Sequence, residues 1–347
     1  MPSRRLSLMT FALLLVGCAD RSAPAPTAAV HAPAAAPPPA PDEGADGAPT
    51  PENEDPAART PEPPPPAPTL PDGTEITTCL EPAPAGMSCI PGGKFIRGSN
   101  DGPDNARPEQ EIWLQTFYMD THEVTYEQYE ACEKARDCPR SGPRYTDFDH
   151  PKMPIQGVSW FHAREFCRVQ GKQLPTEAQW EKAARGPDGE LYPWGDDPAT
   201  CERAIIQDER GRSCGLKKAI SKPETGRPWD VGSRPVGRYG LYDMMGNSWE
   251  WVADWYSRSY EECGEACTGI DPKGPCGGAD ECGNKINKIV RGGSWYWPAD
   301  RATSLFRRPH HATNEPFHHF GFRCAATVEQ ASSLVAGGDG ARGVDGP

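Results

Sequence analysis

The chain has no apolar run long enough to cross a bilayer as a helix. Its hydrophobic stretch near the start, residues 6–16, falls short of the roughly 20 residues such a span needs. It also lacks a basic cluster. With a formal charge of −13 over 347 residues, it disfavours nucleic acid as a partner, since binding a phosphate backbone needs basic clusters. No glycine-rich loop precedes a helix, so a phosphate cradle is not indicated, and no internal repeat suggests a solenoid. Ser294 has no neighbour at an evident base spacing, which leaves a nucleophilic triad without support. Residues 19–76 are Pro- and Ala-rich with scattered acids and almost no large apolar side chains, so they cannot bury a core. They read as an extended, semi-rigid tether. A spacer is the simpler role for it, and a recognition segment for a partner is the alternative.

The start carries an export pattern. Arg4 and Arg5 form a basic region ahead of residues 6–16, and Leu15-Val16-Gly17-Cys18 resembles a bacterial lipobox. The expectation is a lipoprotein signal over residues 1–18, with Cys18 lipidated and serving as the membrane anchor. Ala19 and Asp20 then point to outer-membrane retention. An ordinary cleaved signal is the alternative. Of 13 cysteines, 12 remain once Cys18 is set aside, and an even set in an exported chain reads as disulfides. Proximity suggests Cys79 with Cys89, Cys132 with Cys138, Cys201 with Cys214, Cys263 with Cys267, and Cys276 with Cys282. Cys263, Cys267, Cys276 and Cys282 also offer a four-thiolate zinc site, although the second pair is spaced wider than structural zinc favours.

A folded domain is expected over residues 77–327, ample for one core, followed by a disordered tail over 328–347. Thr125 and Gln128 form a capping box for a first helix. Ser159 caps a second helix, whose inner face is Trp160, Ala163, Phe166 and Cys167. Thr176 and Gln179 box a third, which Gly186-Pro187 stops. Near the end, Ile289-Val290 leads into Arg291-Gly292-Gly293-Ser294-Trp295-Tyr296-Trp297, and the domain closes at Gly321-Phe322-Arg323-Cys324. Two glycines followed by crowded aromatics suggest a pocket floor lined by Ser294, Trp295, Trp297 and Arg301.

The Arg-Gly-Gly-Ser segment and the Gly-Phe-Arg-Cys closure resemble the formylglycine-generating enzyme family, the sulfatase-modifying-factor type. Leu174-Pro175-Thr176-Glu177 with Trp180-Glu181, Tyr192-Pro193-Trp194-Gly195, and Asn247-Ser248-Trp249-Glu250-Trp251 strengthen the resemblance, which covers residues 77–327. It implies an α+β fold of low regularity, disulfide-rich and related in layout to C-type lectins, with Met87 to Arg97 as its opening strand. It also implies a disulfide between Cys167 and Cys324. It implies a calcium ion held by Asp243, by backbone oxygens of Gly246 and Ser248, and by Glu250, a hard-oxygen set that suits calcium. The family's other calcium site is not expected, because its asparagine position holds Ala204.

Enzymes of the family bind copper through two cysteines, three and eight residues after the serine, and use oxygen to convert a substrate cysteine to formylglycine. The matching positions are Trp297 and Ala302, which supply no thiolate, so copper is not expected. The expected function is therefore a non-copper binding or scaffold module for a peptide or envelope component. The alternative is a metal-dependent oxidoreductase with other ligands, to which the patch of His310, His311, His318 and His319 invites attention. Arg301, Arg307 and Arg308 suit a carboxylate or phosphate at the pocket rim, or equally the domain's own acids.

Overall fold

The computed structural model describes residues 67–142, 147–217, 226–313 and 319–338. The export signal, Cys18 and residues 19–66 lie outside them. The described chain is α+β, with short strands in three small sheets and few helices. Strands β1 (Met87–Ile90) and β2 (Gly93–Arg97) are followed by β3 (Gln110–Leu114) and β4 (Phe117–Asp120). The expected single strand from Met87 to Arg97 is thus two, and they enter different sheets: β1 pairs with β4, and β2 with β3. The break falls at Gly92-Gly93. Gly93 has a φ of 111°, and a Cβ on Gly92 would come within 2.5 Å of Ile76, so the chain turns where only glycine fits.

The helices start where their caps predict. In α1 (Tyr126–Ala135) and α3 (Glu177–Arg185), Thr125 with Gln128 and Thr176 with Gln179 make both reciprocal bonds of the capping box. The hydroxyl of Ser159 accepts from the His162 N–H at the start of α2 (Trp160–Val169), whose Trp160, Ala163, Phe166 and Cys167 are buried. Every residue of α3 is buried, Glu177 and Glu181 included. This helix is the centre of the molecule. Its apolar side packs Ala178, Trp180, Ala183 and Ala184 into the largest core cluster.

The third sheet is built from β5 (Trp249–Trp255), β7 (Asn287–Arg291), β8 (Arg308–His311) and β9 (Phe320–Gly321), in the order β8-β7-β5-β9. Between β5 and β7 lie a short helix α4 (Tyr260–Cys263) and the two-residue strand β6 (Gly269–Ile270), which pairs with β3. Strand β10 (Ala325–Thr327) completes the first sheet beside β4.

Two boundaries differ from expectation. Leu70 and Ile76 are already buried, so packing begins ahead of residue 77. Residues 328–338, expected as part of a disordered tail, form helix α5 (Val328–Gly338). The reason is local as well as tertiary. The Thr327 N–H donates to the Gln330 side chain, and the Gln330 N–H to the Thr327 hydroxyl. Ala331 is buried against Met87, Tyr118 and Ala326.

All twelve cysteines from Cys79 to Cys324 are in six disulfides: 79–89, 132–138, 167–324, 201–214, 263–267 and 276–282. The thiolate zinc alternative is thereby overturned, because its four sulfurs are bonded in pairs.

Beside α3 lies a buried ionic network. The Glu177 carboxylate accepts from Arg97 at 3.0 Å, from Arg291 at 2.9 Å, and from Arg307 at 2.7 and 2.9 Å. Glu181 accepts from Arg291, Arg185, the Tyr260 hydroxyl and the Gly98 N–H. Burial opposes the Glu177 charge, yet the surrounding guanidiniums outweigh it and hold its carboxyl at about 2.

Candidate functional site

Strand β7 ends at Arg291, which the network holds, and the chain then turns through Gly292 and Gly293 with φ of 91° and 83°. A Cβ on Gly293 would lie 2.8 Å from the Ala302 Cα. The turn therefore presses the backbone of residue 293 against residue 302, one of the two positions that family resemblance assigns to copper. Ser294 and Trp295 are fully buried. Trp295 meets Phe148 edge-on, and its backbone N–H donates to the Asn247 carbonyl.

Tyr296 and Trp297 are half-buried, with ring centroids 5.4 Å apart. Each carries a guanidinium on its face: Arg212 lies 3.5 Å from the Tyr296 centroid, and Arg308 lies 5.1 Å from that of Trp297. Arg308 is also 5.6 Å from Trp249 and 5.5 Å from Phe320. Burial, and then the Arg301 charge, lower its proton affinity. Arg301 covers Phe306 and pairs with Asp300 at 3.3 Å.

The arginine set thus divides. Arg307 belongs to the buried network, Arg301 has a surface carboxylate beside it, and Arg308 meets aromatic rings but no carboxylate among the described residues. His319 packs against Tyr296, Trp297 and Phe320, while His310 packs against Phe320 and Trp251. Burial drives the His310 pKa down to about 4, and His311 sits beside Thr313. His318 lies outside the described residues.

A second cluster lies where calcium is expected. Asp243 is buried in a left-handed turn, with φ of 54°. Its Oδ2 accepts from the Gly232 N–H at 2.6 Å, while its buried Oδ1 has no hydrogen-bond partner among the described residues. Burial pushes its carboxyl up to about 6. Glu250 is fully engaged: Oε1 accepts from Arg323 at 2.7 Å, and Oε2 accepts from Arg323 and from the Trp180 indole, both at 2.8 Å. The Ser248 hydroxyl accepts from Gln156. Glu123 joins this cluster without having been foreseen. It is buried, its Oε2 accepts from Asn247 at 3.2 Å, and its Oε1 has no partner among the described residues. Burial first, then the Asp243 and Glu250 charges, raise its carboxyl well above the ordinary range. The cluster holds three carboxylates, Glu123, Asp243 and Glu250, to one fully buried guanidinium, Arg323.

Two cavities are prominent elsewhere. One of about 690 Å³ is bordered by Trp160, Arg164, Thr176, Gln179, Asp271 and Glu329. The other, of about 520 Å³, is bordered by Asp120, His122, Gln128, Phe166, Lys172 and Val231. Neither is lined by Ser294, Trp295, Trp297 or Arg301. Ser294 and Trp295 instead fill the turn under the aromatic surface.

Comparison with known proteins agrees with this architecture. Residues 75–328 match the sulfatase-modifying factor enzyme 1-like domain. The chain is 33% identical over 264 residues to a serine/threonine-protein kinase pkn1 of Chlamydia caviae, covering 70% of this chain and 38% of that protein. It thus spans about two-fifths of that relative's length. It is 30% identical over 299 residues to the formylglycine-generating enzyme of Thermomonospora curvata, covering 70% of this chain and 93% of the enzyme. Among solved structures, PvdO from Pseudomonas aeruginosa superposes with a TM-score of 0.56 at 22% identity, covering 70% of this chain and 94% of PvdO. These matches, on a domain of this fold, place the chain in the sulfatase-modifying-factor family of formylglycine-generating-enzyme-like proteins.

Proposed function

We propose that this protein is an exported envelope lipoprotein, anchored through a lipid on Cys18, whose family domain binds a peptide or envelope component without copper. One observation carries the binding reading. Trp297 and Ala302 stand where the family resemblance puts the copper thiolates, and all twelve domain cysteines are already in disulfides. Soft thiolates select copper(I), and this domain has none to offer. Six disulfides also suit the oxidising space outside the cytoplasm.

Calcium at the Asp243 turn belongs to the same reading. The buried Asp243 Oδ1 fits a hard cation, and Gly246 and Ser248 would add backbone oxygens. Glu250 fits less well, because Arg323 and Trp180 already use both of its oxygens. A cation there would offset the excess of buried negative charge and hold the Asp243–Glu250 turn.

The test uses the full chain, incubated with copper(I), oxygen and a cysteine-containing sulfatase-type peptide, and read by mass spectrometry and metal analysis. The proposal expects no aldehyde, no stoichiometric copper, and saturable peptide binding by calorimetry. An aldehyde or one bound copper per chain would overturn it. Globomycin treatment of cells tests the anchor: accumulation of the unprocessed form is expected, and normal processing would count against it.

A further inference from the structure

Two guanidiniums stand out in a chain of net charge −13. Most arginines of the domain face a carboxylate: Arg97, Arg291 and Arg307 share Glu177, Arg185 faces Glu181, and Arg323 faces Glu250. Arg212 and Arg308 do not. They lie on the two touching rings of Tyr296 and Trp297, and neither forms an ion pair or a side-chain hydrogen bond among the described residues. Resting on aromatic faces pre-orients both planar forks and leaves their N–H edges to be satisfied. Arg301 adds a third positive charge close enough to Arg308 to depress its proton affinity.

Resting on the peptide-binding reading above, we infer that this surface recognises the carboxylates of an acidic peptide, with Arg308 over Trp297 and Arg212 over Tyr296 as the two recognition points. The chemistry favours carboxylates for three reasons. A guanidinium fork matches a carboxylate with two parallel N–H···O bonds. The half-buried rings of Tyr296 and Trp297 offer contact to the aliphatic stems of Glu side chains. And in a chain of net charge −13, a patch of positive charge is where an acidic peptide is steered. The bulky Trp297 at a position the family resemblance assigns to copper is what builds the platform on which Arg308 rests. The same replacement that removes a thiolate therefore supplies the anion site.

The test is calorimetric titration of the full chain with acetylated, amidated hexaglutamate, with hexaglutamine as control. A charge-assisted hydrogen bond is worth roughly 1.5–3 kcal/mol, so Arg308→Gln should weaken hexaglutamate binding about tenfold or more. Arg212→Gln should weaken it comparably. Arg308→Lys should restore only part of the affinity, because it keeps the charge and loses the fork. Raising the salt should weaken wild-type binding. Thermal unfolding verifies that each variant is folded, and Arg258→Gln, at an exposed guanidinium that pairs with Glu262, serves as the control. Hexaglutamate binding unchanged by Arg308→Gln, equal binding of hexaglutamine, or no hexaglutamate binding would each overturn the inference. If neutral peptides still bind with no dependence on Arg308, the carboxylate assignment falls while the peptide-binding reading stands.

Discussion

Replacing Glu177 by Gln tests the idea that a buried ionic network is the keystone of the domain. The side chain keeps its size and can still accept from one arginine, but the charge that balances Arg97, Arg291 and Arg307 is gone. Removing one partner of a buried pair costs about 3–5 kcal/mol, because the other charge stays buried. Proton linkage gives a similar figure. The Glu177 carboxyl falls from 4.5 to about 2 on folding, with burial overcome by the three guanidiniums. At about 1.4 kcal/mol per tenfold change in proton affinity, that is about 3 kcal/mol. Because the folded pKa is depressed, this stability is fully present above about 4.5 and is lost as pH falls towards about 2. Urea unfolding of the oxidised protein at pH 7 should therefore show a loss of about 3–5 kcal/mol, or roughly 6–20 °C in Tm for a domain of this size. The variant should also lose the share of the acid sensitivity between pH 4.5 and 2 that Glu177 contributes, leaving that of Glu181 and the other carboxylates. A loss under about 1 kcal/mol, or an acid limb identical to wild type, would refute the reasoning.

The Asp243 carboxyl works with the opposite sign. Its folded pKa is raised to about 6 by burial, so its contribution is present below about 4 and is lost as pH rises through about 6. In chelator, Asp243→Asn should be stabilising at pH 8 and indifferent at pH 3.5. With millimolar calcium, wild type should gain Tm at pH 8 and gain less at pH 5, and Asp243→Asn should gain none; a calcium response that survives the substitution would discredit the site. Converting Cys167 and Cys324 to Ala should cost far more than converting Cys263 and Cys267. Their sequence separations are 157 and 4, and loop closure gives about 5 against about 2 kcal/mol; equal losses in denaturant titrations would contradict this. Gly293→Ala should destabilise by about 2–3 kcal/mol in the same titration, because a Cβ at φ of 83° would meet the Ala302 backbone. A neutral result would mean that the turn relaxes freely.

Local chemistry made much of the fold legible. The caps at Thr125, Ser159 and Thr176 are written in residues three positions apart, and those helices start where the caps say. The same signature occurs at Thr327 and Gln330, but the Gly- and Ala-rich composition that follows points to a disordered tail, which hides α5. The short-range disulfides were readable because spacing limits partners. The Cys167–Cys324 bond, across 157 residues, followed only from the family resemblance. What no window of sequence shows is which charges become buried together. Glu177 and Glu181, one helical turn apart, hint that two carboxylates share a face, but their partners come from β2, α3, β7 and the segment before β8. The same holds for Glu123 beside Asp243, 120 residues away in the chain, and for the separation of Arg307 from Arg308, whose alternation along one extended segment sends one guanidinium inward and the next onto Trp297.

That alternation separates the residues that hold the domain together from those that face the aromatic surface. The residues that hold it together sit on the inward side of the closing segment: Arg291 and Arg307 reach Glu177, while Gly293 packs on Ala302. Trp297 and Arg308 lie on the outward side and take no part in the network. Ala302 is buried and small, so the position needs a compact side chain for packing, and a thiol is not required to fill it. The ligand-facing and load-carrying sides of one stretch of chain are thus separable. A substitution at Trp297 need not disturb the partners of Glu177. If that separation is real, Trp297→Cys should leave Tm within a few degrees of wild type, whereas Arg307→Met should lower it as steeply as Glu177→Gln; comparable losses from both would show the two sides to be coupled.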